Sequence, residues 1–177
     1  ALREREPNAT LVCGGSHASA EPEECTEWFD YVITQEGEIT FAEVLNYVAD
    51  RAALPVGRGR VLAGQRVDPL DLVPPPARDL LDFSKYTRQI AGEPATNLIT
   101  ERGGPARCTF CQQASLWGQG LRLQSPGRIL QEVDSIYATT GIRNLLFLDD
   151  SLTARKRSDV YAMCDGLRER GVKWRGW

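Results

Sequence analysis

Leu145-Leu146-Phe147-Leu148-Asp149-Asp150 is an unbroken apolar run that stops at two carboxylates. A half-exposed strand would alternate apolar and polar residues. A continuous run of this length is the pattern of a parallel strand covered on both faces. Upstream, Ser125-Pro126 combines a capping hydroxyl with proline at the first helical position. Ile129, Leu130, Val133, Ile136 and Tyr137 then recur at helical spacing, and Gly141 supplies the stop. Downstream, Val160, Met163, Cys164 and Leu167 mark a second helix that ends at Gly171. Strands are expected over Thr96–Thr100 before the first helix and over Val172–Trp177 after the second. The order from Ala95 is therefore βαβαβ, with right-handed crossovers. A closed eight-stranded α/β barrel needs about 200 residues or more. Residues 95–177 thus read as the first βα units of such a barrel, in a chain expected to be cut at both ends.

The N-terminal part has a related pattern. An apolar run over Asn8–Cys13 stops at Gly14-Gly15, and a second over Phe29–Ile33 leads into Gln35-Glu36-Gly37-Glu38. Both read as buried strands ending in turns, with a short helix between them that starts near Pro22. Phe41, Val44, Leu45 and Val48 then form one apolar helical face. Strand, helix, strand, helix is the closing half of a parallel α/β sheet, assigned to residues 1–54. Residues 55–94 read as a linker rich in proline (Pro69, Pro74, Pro75, Pro76) that packs on a neighbouring surface. Within it, Arg60–Val67 suggests a small hairpin around Gly64, and Ala77–Leu81 a helical turn.

Composition narrows the function. The chain has 177 residues, 42% hydrophobic and 25% charged, with a net charge of −3. This suits a globular domain and lacks the basic face that a nucleic-acid partner requires. No apolar run reaches membrane-spanning length, so no membrane partner is expected. The charged stretch Ala1–Asn8 has no signal-peptide core. Five cysteines with one close pair make a poor disulfide framework, so a cytoplasmic location is expected.

The close pair is Cys108-Thr109-Phe110-Cys111, in the loop after the expected strand Thr96–Thr100. Two thiolates at this spacing can face one soft metal centre. On spacing alone it is an iron–sulfur site, half a zinc site or a redox pair. His17 is the only histidine, so zinc lacks ligands. Asp149 and Asp150 sit where function concentrates in α/β folds, at the C-terminal end of a buried parallel strand. A carboxylate there accepts a hydrogen bond from a substrate ammonium; alternatively Asp150 or Ser151 caps the next helix. Gly14, Gly15, Ser16 and His17 follow the first N-terminal strand, and Glu36, Gly37 and Glu38 follow the second. Glycine turns at those places let a large cofactor approach the backbone.

These segments together resemble the cobalamin-binding branch of the radical S-adenosylmethionine (SAM) enzymes. Thr100-Glu101-Arg102-Gly103-Gly104-Pro105-Ala106-Arg107-Cys108-Thr109-Phe110-Cys111 is similar to the family's cluster loop, CxxxCxxC with an aromatic residue before the last cysteine. Ser115-Leu116-Trp117-Gly118, Ser125-Pro126 and Phe147–Thr153 resemble the same branch. Gly14–His17 and Gln35–Glu38 are similar to its GG-x-H and EGE signatures. The resemblance runs from about Asn8 to Trp177. It implies a Rossmann-like cobalamin-binding domain followed by a radical SAM barrel. It implies a [4Fe-4S] cluster held through Cys108 and Cys111, and SAM bound near Phe110, Asp149 and Asp150. It implies cobalamin along Gly14, Gly15, Ser16, His17, Glu36, Gly37 and Glu38, with His17 at the cofactor's edge rather than on cobalt.

The implied reaction is reductive SAM cleavage, with radical methyl transfer or a related rearrangement of a small-molecule substrate. Electrons would come from a reductant such as flavodoxin or ferredoxin. The sequence departs from the family at one ligand: the first cluster cysteine falls on Gly104, which offers no side chain. A degenerate or truncated non-catalytic homologue that binds cobalamin or a partner is therefore the alternative. A zinc-binding interaction module is the poorer third.

Overall fold

A computed structural model describes residues 2–49 and 60–176 of the chain. The expected boundary near residue 54 lies outside the described residues, as does Trp177. The chain is mixed α/β and divides into two compact units. One is Ala1–Val67 with Arg107–Gln119; the other is Asp68–Ala106 with Gly120–Trp177.

The first unit opens with a helical turn, α1 (Leu2–Arg5), followed by β1 (Val12–Cys13), α2 (Ser16–Ala20) and α3 (Pro22–Thr26). It continues through β2 (Tyr31–Thr34), α4 (Glu38–Ala49) and β3 (Arg60–Ala63), and later receives α5 (Gln113–Trp117). The three strands are parallel in the order β1-β2-β3. Successive side chains of a strand point to opposite faces, and β2 uses both. Val32 packs with Ala18 and Cys25 from α2 and α3. Tyr31 and Ile33 pack with Val44 from α4. The central strand is thus covered on both sides, as its apolar run requires.

Two local expectations fail in this unit. The buried ridge of α4 is Thr40 and Val44, while Phe41, Leu45 and Val48 are 43%, 51% and 38% exposed. Of the apolar stripe only Val44 meets the sheet, and the small Thr40 sits against it, its hydroxyl 3.5 Å from the Ala63 carbonyl. Arg60–Ala63 is not a hairpin arm but a parallel strand, with Tyr31 opposite Arg60 and Thr34 opposite Ala63. Gly64 does not turn the chain back. Its amide donates to the Thr34 carbonyl at 2.8 Å. A Cβ there would lie 2.1 Å from the Glu36 carbonyl oxygen, so the glycine permits a close backbone crossing.

The second unit begins with three 3-10 turns, Leu70–Leu72, Arg78–Leu80 and Phe83–Lys85. They precede β4 (Gln89–Ile90), β5 (Glu93–Leu98), β6 (Glu101–Arg102) and β7 (Arg122–Leu123). Then come α6 (Pro126–Thr140), β8 (Asn144–Phe147), α7 (Arg157–Glu169) and β9 (Trp174–Arg175). The main sheet has the order β4-β5-β8-β9. Its β5-β8-β9 part is parallel, so the βαβαβ order holds. Ser125 caps α6 by accepting from the Arg128 amide at 3.2 Å, and Gly141 ends the helix with φ 72°. Leu98, Leu145 and Phe147 pack against Ile129 and Ile136 of α6 and Met163 of α7.

Here too the details differ. β5 starts at Glu93 and ends at Leu98, because the Thr100 amide leaves the ladder and donates to Asp149 Oδ1 at 2.7 Å. One face of β8 is fully closed and the other partly, with Asn144 buried and Leu146 half-buried. Leu145 and Phe147 are fully buried, whereas Leu148 is 41% exposed. The proline-rich segment packs on α6 as expected, through charges. Arg78 donates to Glu132 at 2.8 Å and to the Asn97 carbonyl at 3.3 Å. Arg128 pairs with the same Glu132 at 3.4 Å. The turn Arg78–Leu80 matches the helical turn expected there.

Candidate functional site

In the first unit, β1 and β2 end side by side, and the turns that follow them border an open cavity of about 390 Å³. Its lining includes Cys13, Gly14, Gly15, Gln35, Gly37 and Glu38. Gly15 has φ 91° and ψ −164°, a conformation essentially reserved for glycine, and a Cβ there would meet nothing within 4 Å. The backbone is therefore bare toward open space. Phe41 and Trp117 add aromatic surface. Phe41 belongs to the apolar face expected of its helix, and it is half-exposed and faces this cavity.

The expected residues divide. Gly14, Gly15, Gly37 and Glu38 come together in the lining. Glu36 does not; it is 2% exposed, and its Oε2 accepts from the Val67 amide at 3.4 Å. Ser16 opens α2 and is exposed. His17 lies on the same helix, its imidazole 3.7 Å from Glu24 and outside the lining. Cys13 packs against Cys25, and burial raises its thiol pKa. Cys25 is a buried core thiol, while the half-buried Cys13 also lines the cavity.

In the second unit, the C-terminal ends of β5 and β8 meet in a buried polar network. Asp149 is 1% exposed. Its Oδ1 accepts from the Thr100 amide at 2.7 Å, and its Oδ2 accepts from the Thr100 hydroxyl. Arg155 lies 3.9 Å from that Oδ2. Glu101 is also buried and accepts from the Ser151 amide at 2.7 Å. Burial pushes the Asp149 and Glu101 carboxyls above the usual carboxylate range, against hydrogen bonds and the Arg155 charge that pull them down. Asp149 therefore faces inward, and Asp150 is the exposed member of the pair. Neither Asp150 nor Ser151 caps α7, whose N-cap is Lys156.

β6 and β7 pair antiparallel, Glu101 opposite Leu123 and Arg102 opposite Arg122. They form the neck of the loop that carries Gly104, Cys108 and Cys111. The Cys111 amide donates to the Cys108 carbonyl at 3.1 Å, so the two cysteines share one turn. Both are exposed, and Phe110 between them is 90% exposed. A Cβ added at Gly104 meets nothing within 4 Å. Among the described residues no three His, Cys, Asp or Glu side chains are grouped closely enough to hold a metal ion. No described helix is long and apolar enough to cross a membrane.

The chain's curated relatives are methyltransferases. An uncharacterised methyltransferase of Pyrococcus horikoshii is 31% identical, over 86% of this chain and 36% of the relative. Cytidylyl-2-hydroxyethylphosphonate methyltransferase of Streptomyces wedmorensis is 27% identical, over 95% and 39%. Hopanoid C-2 methylase of Rhodopseudomonas palustris is 29% identical, over 84% and 26%. The chain thus spans between about a quarter and two fifths of the length of these relatives. No protein-family model matches it. Among solved structures, the radical SAM methyltransferase TsrM from Kitasatospora setae, with tryptophan substrate and a SAM analogue bound, has a TM-score of 0.55. That likeness covers 92% of this chain and 33% of TsrM at 18% identity, and so concerns the fold. A second TsrM structure, with cobalamin and a [4Fe-4S] cluster bound, has a TM-score of 0.53.

Sequence reasoning missed Trp117 as a cavity wall, and missed the set Thr100, Glu101, Gln124 and Arg155. Trp117 lay in a quoted motif but carried no signal for the first unit. Arg155 sits in Arg155-Lys156-Arg157, a charged run that reads as solvated surface. In fact its side chain is 1% exposed.

Proposed function

We propose that the chain is part of a cobalamin-dependent radical SAM methyltransferase. Residues 1–54 are the closing part of the cobalamin-binding domain and residues 95–177 the opening of the radical SAM barrel, whose segment Arg107–Gln119 belongs to the first compact unit. One observation carries the reading. A glycine-walled cavity at the C-terminal ends of one parallel sheet is followed, in the same chain, by a second parallel sheet whose first strand leads into a CxxC turn. The methyltransferase relatives and the TsrM-like fold support it.

The cavity residues fit one edge of a corrinoid. Gly14, Gly15 and Gly37 leave the backbone approachable, Phe41 and Trp117 offer flat apolar surface, and Glu38 supplies a polar rim. Bound there, cobalamin would supply a methyl carrier. The protein's part is to grip its edge and shield it from water. His17, turned to Glu24, takes no part in cobalt ligation on this reading. Asp150 is the carboxylate assigned to the amino group of SAM, and Phe110 of the CxxC turn is assigned to the same cofactor. Asp149 acts from behind by fixing Thr100.

The cluster loop does not fit in full. A SAM-binding [4Fe-4S] cluster takes three thiolates, and this loop supplies Cys108 and Cys111 with Gly104 in the third place. The same glycine favours a second reading, a non-catalytic homologue that retains cobalamin. On the first reading the substrate is a small molecule, and on both the chain works in the cytoplasm. On the first reading, a flavodoxin- or ferredoxin-like protein supplies electrons.

Cobalamin retention tests the proposal. The full-length protein, incubated with hydroxocobalamin and desalted, should keep a stoichiometric corrinoid absorbance. Gly15→Val, which puts a branched side chain at φ 91° on the cavity wall, should lose it. If the native protein retains no corrinoid, or Gly15→Val retains as much, the cavity is not a cobalamin site.

A further inference from the structure

Loop 103–121 leaves the second unit at β6 and returns at β7. Two facing residue pairs make a weak neck, since short two-stranded ladders are marginal in water. Something else must close it. The Gln124 amide donates to the Thr100 carbonyl at 2.9 Å, which extends the pairing by one bond. The Glu101 carboxyl of β6 accepts from the Ser151 amide at 2.7 Å, and four further bonds come from one side chain. Arg155 Nη1 donates to the Gln124 carbonyl at 2.8 Å, and Nη2 donates to the Thr100 carbonyl at 3.1 Å and to its hydroxyl. Nε donates to the Leu152 carbonyl at 3.0 Å. Both strands of the neck and the segment after β8 thus converge on a single guanidinium.

We propose that Arg155 is the positioning residue of the cysteine loop, a buried clamp that fixes where the loop leaves and re-enters the barrel portion. Its planar fork reaches three backbone segments at once; an ammonium has neither the span nor the fixed directions. Its charge also faces Asp149 and Glu101, the two acids that lie against it from the strand ends. Gly104 stands two residues beyond β6, so the neck sets its position directly. The proposal rests, for the purpose of the loop, on the cluster reading above.

The test separates the two. Hydrogen exchange is followed in the full-length protein and in Arg155→Lys, which keeps the charge and loses the fork. Amides 101–102 and 122–124 should exchange at least tenfold faster in the variant, with α6 and α7 within twofold of native. In a Gly104→Cys background, reconstituted anaerobically, adding Arg155→Lys should at least halve the retained iron. It should also broaden the spin-resonance line of the reduced cluster, a change that general loss of stability would not produce in the folded fraction.

Unchanged neck exchange, or equal acceleration in α6 and α7, overturns the clamp. An open neck with unchanged iron and line shape overturns its positioning role. If Gly104→Cys takes up no iron while the neck still depends on Arg155, the clamp stands and the cluster reading falls. Should Arg155→Lys fail to fold, Thr100→Val removes one of the four guanidinium bonds together with the hydroxyl's bond to Asp149. It should speed neck exchange about threefold; native exchange in that variant would overturn the clamp.

Discussion

Asp149 and Asp150 are adjacent in sequence and opposite in circumstance. Asp149 is sealed in with Thr100 and Arg155, while Asp150 is exposed. Removing Asp149 leaves the Arg155 guanidinium buried without its nearest counter-charge, a type of loss that costs about 3–5 kcal/mol. Asp149→Ala should therefore lower the melting temperature, whereas Asp150→Ala should melt like native and bind SAM at least tenfold more weakly. Equal melting of both variants, or native SAM affinity in Asp150→Ala, would contradict this division. Glu101 gives a pH signature. Burial raises its folded-state pKa above the reference value of 4.5. Between those two values the folded chain holds a proton that the unfolded chain has lost. Its contribution is thus fully present below pH 4.5 and is lost as pH rises through the folded value. In Glu101→Gln the Ser151 amide keeps its acceptor and that decline disappears. The stability of the variant relative to native should grow as pH rises from about 4 and then level off. A difference that is flat or shrinks with pH would show that Glu101 is not held protonated by burial.

At the scale of elements, capping and strand composition were legible, and helical phase and long-range pairing were not. Ser125, Pro126 and Gly141 set the bounds of α6 because each acts through its own backbone, and the structure follows them. The α4 face was misjudged because an exposed apolar stripe looks the same in sequence as a buried one; only the cavity beside Phe41 tells them apart. Arg60–Ala63 was misread because Gly64 suggests a turn when viewed locally. Its cause is the Thr34–Glu36 backbone, about 30 residues away in sequence. That contact makes a prediction. A Cβ at Gly64 would lie 2.1 and 2.4 Å from two carbonyl oxygens of fixed backbone. Gly64→Ala should destabilise the first unit by about 3 kcal/mol, the upper range for overpacking. Denaturant unfolding followed at Trp28 or Trp117 would measure it, and a change under about 1 kcal/mol would mean that β3 does not pass so close to the turn.

At the scale of the whole molecule, two parallel sheets in series carry two different kinds of site. The cavity of the first unit was half legible. Gly14, Gly15, Gly37 and Glu38 follow strands that the apolar runs mark, but Trp117 arrives from about 80 residues further along. The strand-end network of the second unit was hidden, because a buried arginine in a run of basic residues carries no local mark. The cysteine turn was the clearest feature, and on the proposed reading Gly104, in the place of a third thiolate, is the most consequential. Gly104 has open space around its Cα and no left-handed backbone demand, so a cysteine fits there without displacing anything. The account therefore turns on iron and acid-labile sulfide in the full-length protein, reconstituted anaerobically, as native and as Gly104→Cys. It predicts a substoichiometric, air-labile content in the native protein, and a rise to about four of each per chain in the variant. A native protein that already holds the complete cluster, or a variant that gains none, would contradict it.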